Sequence, residues 1–432
     1  MAFFPTAGFG LDVGGGAGPG PLPGSDRQRL RDLAWQVAEV AHQPRQATRR
    51  ALWFRHNRLD PARPMLLVYP EEAWEELLGP ASLALSDPYW RQWEWYLLHL
   101  LYRDQHLQDD FVVEPLLYVE KVVRLGGWGL DLKYDRPAAA KGAWRYDPPL
   151  KSPRDLDRLT FPTLAVDEAE TRRRVDAVGE ALGDILDVRP HCNTRSLLRA
   201  NLVTEATRLR GIEQVMLDMY DRPAWLHELM GFLTAGVLRH ATLLEAGGHL
   251  TPNSGHHYVD AGGLGYTDEL PQPGEPGQQL SLADLWGSGL AQEFAHVSPA
   301  QHDEFALQYQ LRILARFGLN AYGCCEPLTA KFGIVRQIPR LRRVSISAWC
   351  DVERAAAELG ASYICSWKPA PAMLLGRLDP DAVRLYIRRT LEATRGCVVE
   401  VILKDLITLE GNPAKLATWI GIAREEIERV SG

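Results

Sequence analysis

Apolar and polar residues follow a helical period in the first part of the chain and an alternation of strand-like and helix-like runs in the last part. Between residues 25 and 108, apolar residues recur every three or four positions, which predicts a helical segment. Asp87 followed by Pro88 is a typical helix start, and the helix predicted after it carries an aromatic face. Packing of that face into the core is the first interpretation, and stacking on a sugar or cofactor is the alternative.

After residue 298 the pattern becomes regular. It predicts strands at 319–322, 343–348, 361–366 and 397–403, and helices at 299–317, 352–359, 380–394 and 413–430, after two earlier strands at 111–113 and 184–189. Strands that alternate with helices across short connections, without hairpin turns, are parallel. We therefore predict an α/β fold, specifically a (β/α)8 TIM barrel with a helical amino-terminal extension. An open doubly wound sheet is the alternative, but the glycine fingerprint of that fold is missing.

The composition divides the chain into three parts. Residues 1–24 contain eight glycines and predict a flexible Gly/Pro-rich arm, because such a segment buries too little to repay its ordering entropy. Residues 25–108 are the helical extension, and residues 109–432 form the predicted barrel, with a long loop insertion at about 250–280. The arm lacks the basic start of a signal peptide, so we expect a cytoplasmic protein.

The charge and the cysteine content of the chain exclude several classes of protein. The formal net charge is −7, from 48 basic and 55 acidic residues, which argues against a nucleic-acid partner. No uncharged apolar run reaches the roughly 18–20 residues of a membrane span, so no membrane partner is expected. Six cysteines in 432 residues do not make a disulfide framework.

Polar residues at the carboxyl ends of the predicted strands are the candidates for chemistry, because barrel active sites lie there. Glu114, Glu326 and Lys368 are the predicted catalytic residues, as carboxylates and a lysine suited to proton transfer. The predicted substrate-binding residues are His191, Asn193, His257, Trp349 and Lys404. Both lysines follow apolar strands and could hold an anionic substrate, or simply pair with a neighbour such as Asp405.

The sequence Cys324-Cys325-Glu326 is the sharpest cluster. Thiolates and a carboxylate are ligands that Zn²⁺ prefers, and Cys350 or a histidine could complete the set. Small buried thiols at a barrel rim and a free reactive thiol are the alternatives. His257 belongs to a second candidate, the paired histidines of a loop that extends to Gly277 and is long enough to be a lid or a binding loop. Histidines that are merely exposed or hydrogen-bonded are the alternative there.

Four stretches together resemble the uroporphyrinogen decarboxylase superfamily, which also contains cobamide-dependent and coenzyme M methyltransferases. They are the helix pair at 207–223, the Ser-Pro helix start at 297–305, Tyr322-Gly323-Cys324 in place of a His-x-Cys-Gly motif, and Glu410-Gly411-Asn412-Pro413 near the end. The resemblance implies a (β/α)8 barrel. It implies zinc binding by Cys324, although Tyr322 stands where the methyltransferases carry a histidine and Lys404 lies near the position of their late thiol.

The function expected from this resemblance is zinc-dependent methyl transfer to or from a thiol or a corrinoid, the corrinoid being carried on a partner protein. The first alternative is a decarboxylase or related lyase that acts on a carboxylated, tetrapyrrole-like substrate. The second is a non-catalytic barrel that binds a small molecule. A small-molecule substrate is expected in the first two cases, and a homodimer is left open because the outer helices of barrels often pair.

Overall fold

A computed structural model describes residues 18–135, 145–260, 262–272 and 279–431. The strands are β1 (Met65–Val68), β2 (Leu116–Glu120), β3 (Val123–Leu125), β4 (Lys133–Asp135), β5 (Arg145–Asp147), β6 (Leu164–Val166), β7 (Asp187–His191), β8 (Trp286–Gly289), β9 (Leu319–Tyr322), β10 (Leu341–Ile346), β11 (Ile364–Trp367) and β12 (Val398–Leu403). Most of the predicted arm, residues 1–17, lies outside the described residues.

The helices before β8 are α1 (Gly24–Ala41), α2 (Pro44–Asn57), α3 (Trp74–Leu77), α4 (Pro88–Tyr102), α5 (Glu168–Leu182), α6 (Thr194–Leu198), α7 (Leu202–Arg210), α8 (Ile212–Asp221) and α9 (Pro223–Ala246). Those after β8 are α10 (Pro299–His302), α11 (Gln308–Leu314), α12 (Phe332–Val335), α13 (Val352–Leu359), α14 (Pro380–Ala393) and α15 (Ala414–Ser431). A π-helical turn at Asp303–Leu307 joins α10 to α11. Among the described residues, no helix has the length and apolarity that a membrane crossing needs.

Six parallel strands form the main sheet, in the order β1-β12-β11-β10-β9-β8. The first strand therefore lies beside the last, with Met65 opposite Glu400 and Val68 opposite Leu403. A second parallel pair joins β2 to β7. The predicted α/β class with parallel strands is confirmed, because β8 to β12 follow one another in chain order and helices separate most of them.

Burial explains why the last strands were easy to predict from the sequence. All six residues of β12 are buried, and this nearly continuous apolar run is typical of a parallel strand covered on both faces. The helix α14 that precedes it buries Val383, Ile387 and Leu391, which share one face at four-residue spacing. In this part of the chain, the spacing of apolar residues in the sequence therefore agrees with their burial in the structure.

Two strand predictions and one helix prediction in the first part of the chain are corrected by the structure. The strand predicted at 111–113 is wrong. A side chain takes the backbone hydrogen bond there, because Gln46 accepts from the amide nitrogen of Val113 at 3.0 Å. The pairing between strands begins only at Leu116. The strand predicted at 184–189 is shifted to β7. The segment 25–108 is not wholly helical, since β1 lies within it and is too short to show a period.

The strand β8 was not predicted. Its sequence, Trp-Gly-Ser-Gly, has no β-branched residue and two glycines, so local propensity opposes a strand. The parallel partner β9 nevertheless pairs with all four residues, from Trp286 opposite Leu319 to Gly289 opposite Tyr322. Tertiary pairing therefore overrides local preference at this point.

The predicted helix start at Asp87 is confirmed. The Asp87 carboxylate accepts hydrogen bonds from the amide nitrogens of Tyr89 (3.0 Å) and Trp90 (3.1 Å). We expect Asp87→Ala to lower the free energy of unfolding by about 1 kcal/mol, because two helix amides lose their acceptor. Urea denaturation measures this, with Asp87→Asn as the control that keeps an acceptor and most of the stability. Equal stability of Asp87→Ala and the parent would contradict the cap.

The predicted loop insertion at 250–280 is largely internal. Residues 254–260 are buried, and the amide of Asn57 donates to the carbonyl oxygens of Leu264 (2.9 Å) and Tyr266 (2.6 Å). A Cβ at Gly262 would come within 2.7 Å of the Ile402 side chain, so the loop backbone packs directly on β12. The prediction of a lid is therefore corrected for this portion, while residues 273–278 lie outside the described residues.

Candidate active site

A sharp turn after β9 presents Cys324. Gly323 has φ 91°, which favours glycine, and a Cβ there would meet the Leu328 and Ser345 side chains. The Ser345 hydroxyl donates to the carbonyl oxygen of Cys324 at 2.6 Å. Glu326 accepts from the amide nitrogen of Cys324 at 2.8 Å. These bonds hold the thiol in one place.

Glu326 lies at the centre of this turn and is 1% exposed. Its second carboxylate oxygen accepts from the amide nitrogen of Ala291 at 3.0 Å. A carboxylate whose oxygens are both occupied by backbone donors organises the loop around it. The structure thus gives the predicted catalytic residue Glu326 the contacts of a positioning residue.

Two buried lysines from the neighbouring strand ends approach the thiol. Lys404 follows β12, and its Nζ lies 3.7 Å from Cys324 Sγ. Lys368 follows β11, donates to the Ser366 carbonyl oxygen at 3.1 Å, and is 4% exposed. The predicted residues Cys324, Lys368 and Lys404 are brought together because carboxyl ends of parallel strands meet at one edge of a sheet.

The Cys324 thiol is strongly acidified. The hydrogen bond from Cys325, with the two sulfur atoms 3.5 Å apart, is the largest cause that lowers the pKa of Cys324 to about 6. The positive charges of Lys404 and Lys368 lower that pKa further, against the opposing effect of burial. The same hydrogen bond raises the pKa of Cys325, which keeps its proton. At neutral pH the pair therefore holds one thiolate, on Cys324.

The two lysines differ in their own acidity. Burial lowers the pKa of Lys368 to about 8, and the charge of Lys404 acts in the same direction. Burial also acts to lower the pKa of Lys404, but Tyr258, Cys324 and the carboxylates beside it outweigh burial and raise that pKa. Lys404 therefore stays an ammonium ion, while Lys368 can release a proton near neutral pH.

Glu71 and Asp405 complete the charged surroundings. Asp405 lies 2.7 Å from Lys404 Nζ, and the backbone nitrogen of Asp405 donates to Glu71 at 2.9 Å. Burial raises the pKa of Glu71 to about 7. Sequence reasoning missed Glu71, because it lies just after β1, which was not predicted. A polar residue after that short apolar run was the signal that could have found it.

The candidate site has a second group of charged and aromatic side chains, which sequence reasoning also missed. It consists of Arg195, Tyr258 and Asp260. Arg195 donates to Asp260 at 2.6 Å, and its guanidinium carbon lies 4.8 Å from the centre of the Tyr258 ring. Ser288 on β8 donates to the same carboxylate at 2.7 Å. Burial alone would raise the pKa of Asp260, but the two arginines beside it and Ser288 hold it at about 2. Asp260 is therefore an anion fixed in place.

The predicted residues Glu114, His191 and His257 gather in a histidine cluster instead. His257 stacks between His191 and His256, with ring centres 4.5 and 5.4 Å apart. Glu114 lies 2.6 Å from His256 Nδ1, and burial lowers the pKa of His191 to about 3. The cluster is thus a packed assembly in which burial favours the neutral forms of His191 and His257, and Glu114 is a hydrogen-bond partner of His256.

The remaining predicted residues have contacts of a structural kind or lie in solvent. Asn193 accepts from the Ser196 amide at 3.1 Å and so caps α6. Trp349 is 80% exposed. Cys350 Sγ accepts from the Leu328 amide nitrogen at 3.2 Å, which ties down the segment after the Cys324 turn.

The side chains do not fit the predicted zinc site as they are arranged. In the ranges that the structure describes, no group of three or more His, Cys, Asp or Glu residues converges as a metal site. The Lys404 ammonium lies against Cys324, where it would repel a cation, and Cys350 is engaged with Leu328. Zinc binding stays a prediction that metal analysis of the purified protein would test.

Comparison with known proteins gives a likeness to solved structures. No family model matches the chain, and no curated protein matches it. A solved structure, a methyltransferase from Methanosarcina mazei, is similar with a TM-score of 0.50 and 12% sequence identity. The likeness covers 87% of this chain and 97% of that chain. At this identity it shows a distant relation of fold and leaves the activity to be argued from the site.

Proposed function

We propose that this chain is a methyl-transfer enzyme whose nucleophile is the Cys324 thiolate. The observation that carries the proposal is the contact between Cys324 Sγ and Lys404 Nζ, in a site where the thiol pKa is about 6. A thiolate held by fixed positive charge, at the end where such folds place their active sites, is suited to nucleophilic attack. The fold-level likeness to a methyltransferase agrees with this chemistry.

The proposed step is a displacement at a methyl carbon. The Cys324 thiolate supplies an electron pair to form the sulfur–carbon bond, while the bond from carbon to the leaving group breaks and the leaving group keeps its electron pair. The negative charge moves from sulfur to the leaving group, so no oxidant or reductant is consumed. Turnover then requires a second acceptor that is a stronger nucleophile than the thiolate.

The neighbouring residues have distinct roles in this proposal. Lys404 keeps the thiol ionised, and Glu326 positions it through the backbone. Lys368, with a pKa of about 8, would donate a proton to the departing group or hold an anionic part of the substrate. Glu71, with a pKa of about 7, would supply at neutral pH the proton that Lys368 loses in this step.

A corrinoid on a partner protein is the expected methyl donor or second acceptor. As second acceptor it would supply the strong nucleophile that turnover needs, and as donor it would leave that role to a separate acceptor. The partner would reach the thiol from the mouth formed by the carboxyl ends of the strands.

The fold proposed for the strands around this mouth is a closed (β/α)8 ring. It is supported by the pairing of β1 with β12, by the pairing of β2 with β7, and by the bond from the Asp110 amide to the Leu66 carbonyl at 2.8 Å. At the other edge of the six-stranded sheet, the isolated bridge between Ala200 and Gly289 of β8 supports closure of the ring.

Alkylation kinetics test the state of the nucleophile. We expect the rate of Cys324 alkylation by iodoacetamide to rise with pH along a curve centred near pH 6, because only the thiolate reacts. In Lys404→Met the curve should move to higher pH, since one positive charge beside the sulfur is lost. Peptide mass spectrometry measures both curves and separates Cys324 from the other thiols. A parent curve centred near pH 9 would overturn the proposed thiolate.

A decarboxylase or lyase is the second candidate function, and the two buried lysines favour it. Lys368 and Lys404 together could hold the carboxylates of a substrate, as sequence reasoning expected. The two functions differ in their dependence on sulfur. Cys324→Ser would abolish methyl transfer but leave a lysine-based decarboxylation largely intact, whereas Lys368→Met would damage the latter most. Ligand binding with neither reaction would favour the non-catalytic alternative.

A further inference from the structure

A cavity of about 530 Å³ lies beside the amino end of β1. Arg63 precedes β1 and lines this cavity, whereas Lys404 and Cys324 lie at the carboxyl end of the same sheet. The cavity is therefore separate from the proposed active site. Its lining comes from α2, the segment before β1, the turn after α4 and the last helix, α15, and its charged residues are Arg45, Arg49, Arg63, Asp104, Asp110, Arg424 and Glu428.

Two buried carboxylates of this cavity are already engaged by neighbouring side chains. Asp110 accepts two hydrogen bonds of 2.8 Å from Arg63, two from Arg424 at 2.8 and 3.2 Å, and one from the Leu66 amide. Asp104 accepts from Arg45 and from Gln46. With Glu428, three carboxylates face four guanidinium groups, so the lining carries one positive charge in excess.

Arg49 is the guanidinium whose hydrogen-bonding capacity is least used. Its Nη1 donates to the Phe111 carbonyl oxygen at 3.3 Å and lies 3.6 Å from Asp104. Among the described residues, no hydrogen bond joins its Nε or Nη2 to a protein acceptor, and the side chain lines the cavity with 14% of its surface exposed. A guanidinium stays charged in proteins. These donors are therefore available to an anion that enters the cavity.

We propose that this arginine cavity binds the phosphate group of a small phosphorylated molecule. A guanidinium presents paired N–H donors that match phosphate oxygens, and the excess charge of the lining favours an anion. The side chains of Leu52 and Ile427 form an apolar part of the wall, which suits the organic portion of the molecule. The volume is typical of a small-molecule site and larger than inorganic phosphate requires.

Calorimetric titration with inorganic phosphate and phenyl phosphate tests the site in the full chain. We expect saturable 1:1 binding of both, with phenyl phosphate tighter because of the apolar wall. Arg49→Gln should weaken phenyl phosphate binding at least about tenfold, since a charge-assisted contact to the phosphate is lost. Arg49→Lys should lie between, because it keeps the charge without the planar fork.

Arg55→Gln is the matched control. It lies on α2 as well, but pairs with Asp60 at the surface, and we expect phenyl phosphate to bind it as it binds the parent. Cys324→Ser should also bind unchanged, which separates this site from the proposed methyl transfer. The proposal is overturned if neither probe saturates, or if Arg49→Gln and Arg49→Lys, folded by circular dichroism, bind like the parent.

Discussion

Replacing Cys324 with serine is expected to abolish methyl transfer. A serine hydroxyl ionises far above neutral pH, so the variant would have no anionic nucleophile beside Lys404. Loss of an activated nucleophile costs on the order of 10³-fold in rate or more. The measurement follows a labelled methyl group from methylcobalamin to the protein and locates it by peptide mass spectrometry on the segment that contains Cys324.

The matched control is Cys397→Ser, which removes a partly buried thiol at the opposite, amino end of β12. It should transfer methyl groups like the parent protein. Folding of both variants is compared by thermal denaturation, because Cys324 Sγ is a partner of Cys325. Label that still appears at the parent rate in Cys324→Ser, or that lies on another residue in the parent, would refute Cys324 as the nucleophile.

Replacing Glu400 with glutamine is expected to have the largest effect on stability. Glu400 is fully buried on β12, lies 2.9 Å from the Arg343 Nε atom, and lies 3.2 Å from the Nε2 atom of His56. Removing one partner of a buried ion pair leaves the other charge uncompensated, and this lowers the free energy of unfolding by about 3–5 kcal/mol. Urea denaturation at neutral pH measures the loss.

The Arg343–Glu400 ion pair also predicts that the free energy of unfolding depends on pH in the acid range. Burial acts to raise the pKa of Glu400, but Arg343 and then His56 outweigh burial and hold that pKa at about 2. Because the folded pKa lies below the unfolded value of about 4.5, the stabilisation is complete above about pH 4.5. It is lost as the pH falls towards 2. The stability of Glu400→Gln should therefore lack this part of the acid dependence.

An exposed ion pair provides the comparison for Glu400. Glu392 pairs with Arg429 at 2.9 Å, and the side chains are 46% and 39% exposed. Glu392→Gln should change the free energy of unfolding by no more than about 1 kcal/mol, because water already screens the pair. If Glu400→Gln cost no more than Glu392→Gln, the Arg343–Glu400 pair would not be a principal stabilising contact of the sheet.

The amino-acid sequence by itself determined the elements that local rules specify. The strands β9 to β12 and the helices α13, α14 and α15 follow from apolar runs, helix periods and capping residues, all of which act over a few positions. Their order also placed Cys324, Lys368 and Lys404 at strand ends, and so at one edge of a parallel sheet. The sequence therefore singled out Cys324 before any contact was known, but as a candidate metal ligand, with a reactive thiol as an alternative.

Only the tertiary structure decided which of these residues act on one another. The acidity of Cys324 depends on Lys404, 80 positions later, and the contact of His56 with Glu400 spans 344 positions. The short strand β1 forms because β12 lies beside it, and its pairing brings Glu71 near the thiol. Electrostatic interaction depends on distance in space and on burial, and neither can be read from neighbouring letters of a sequence.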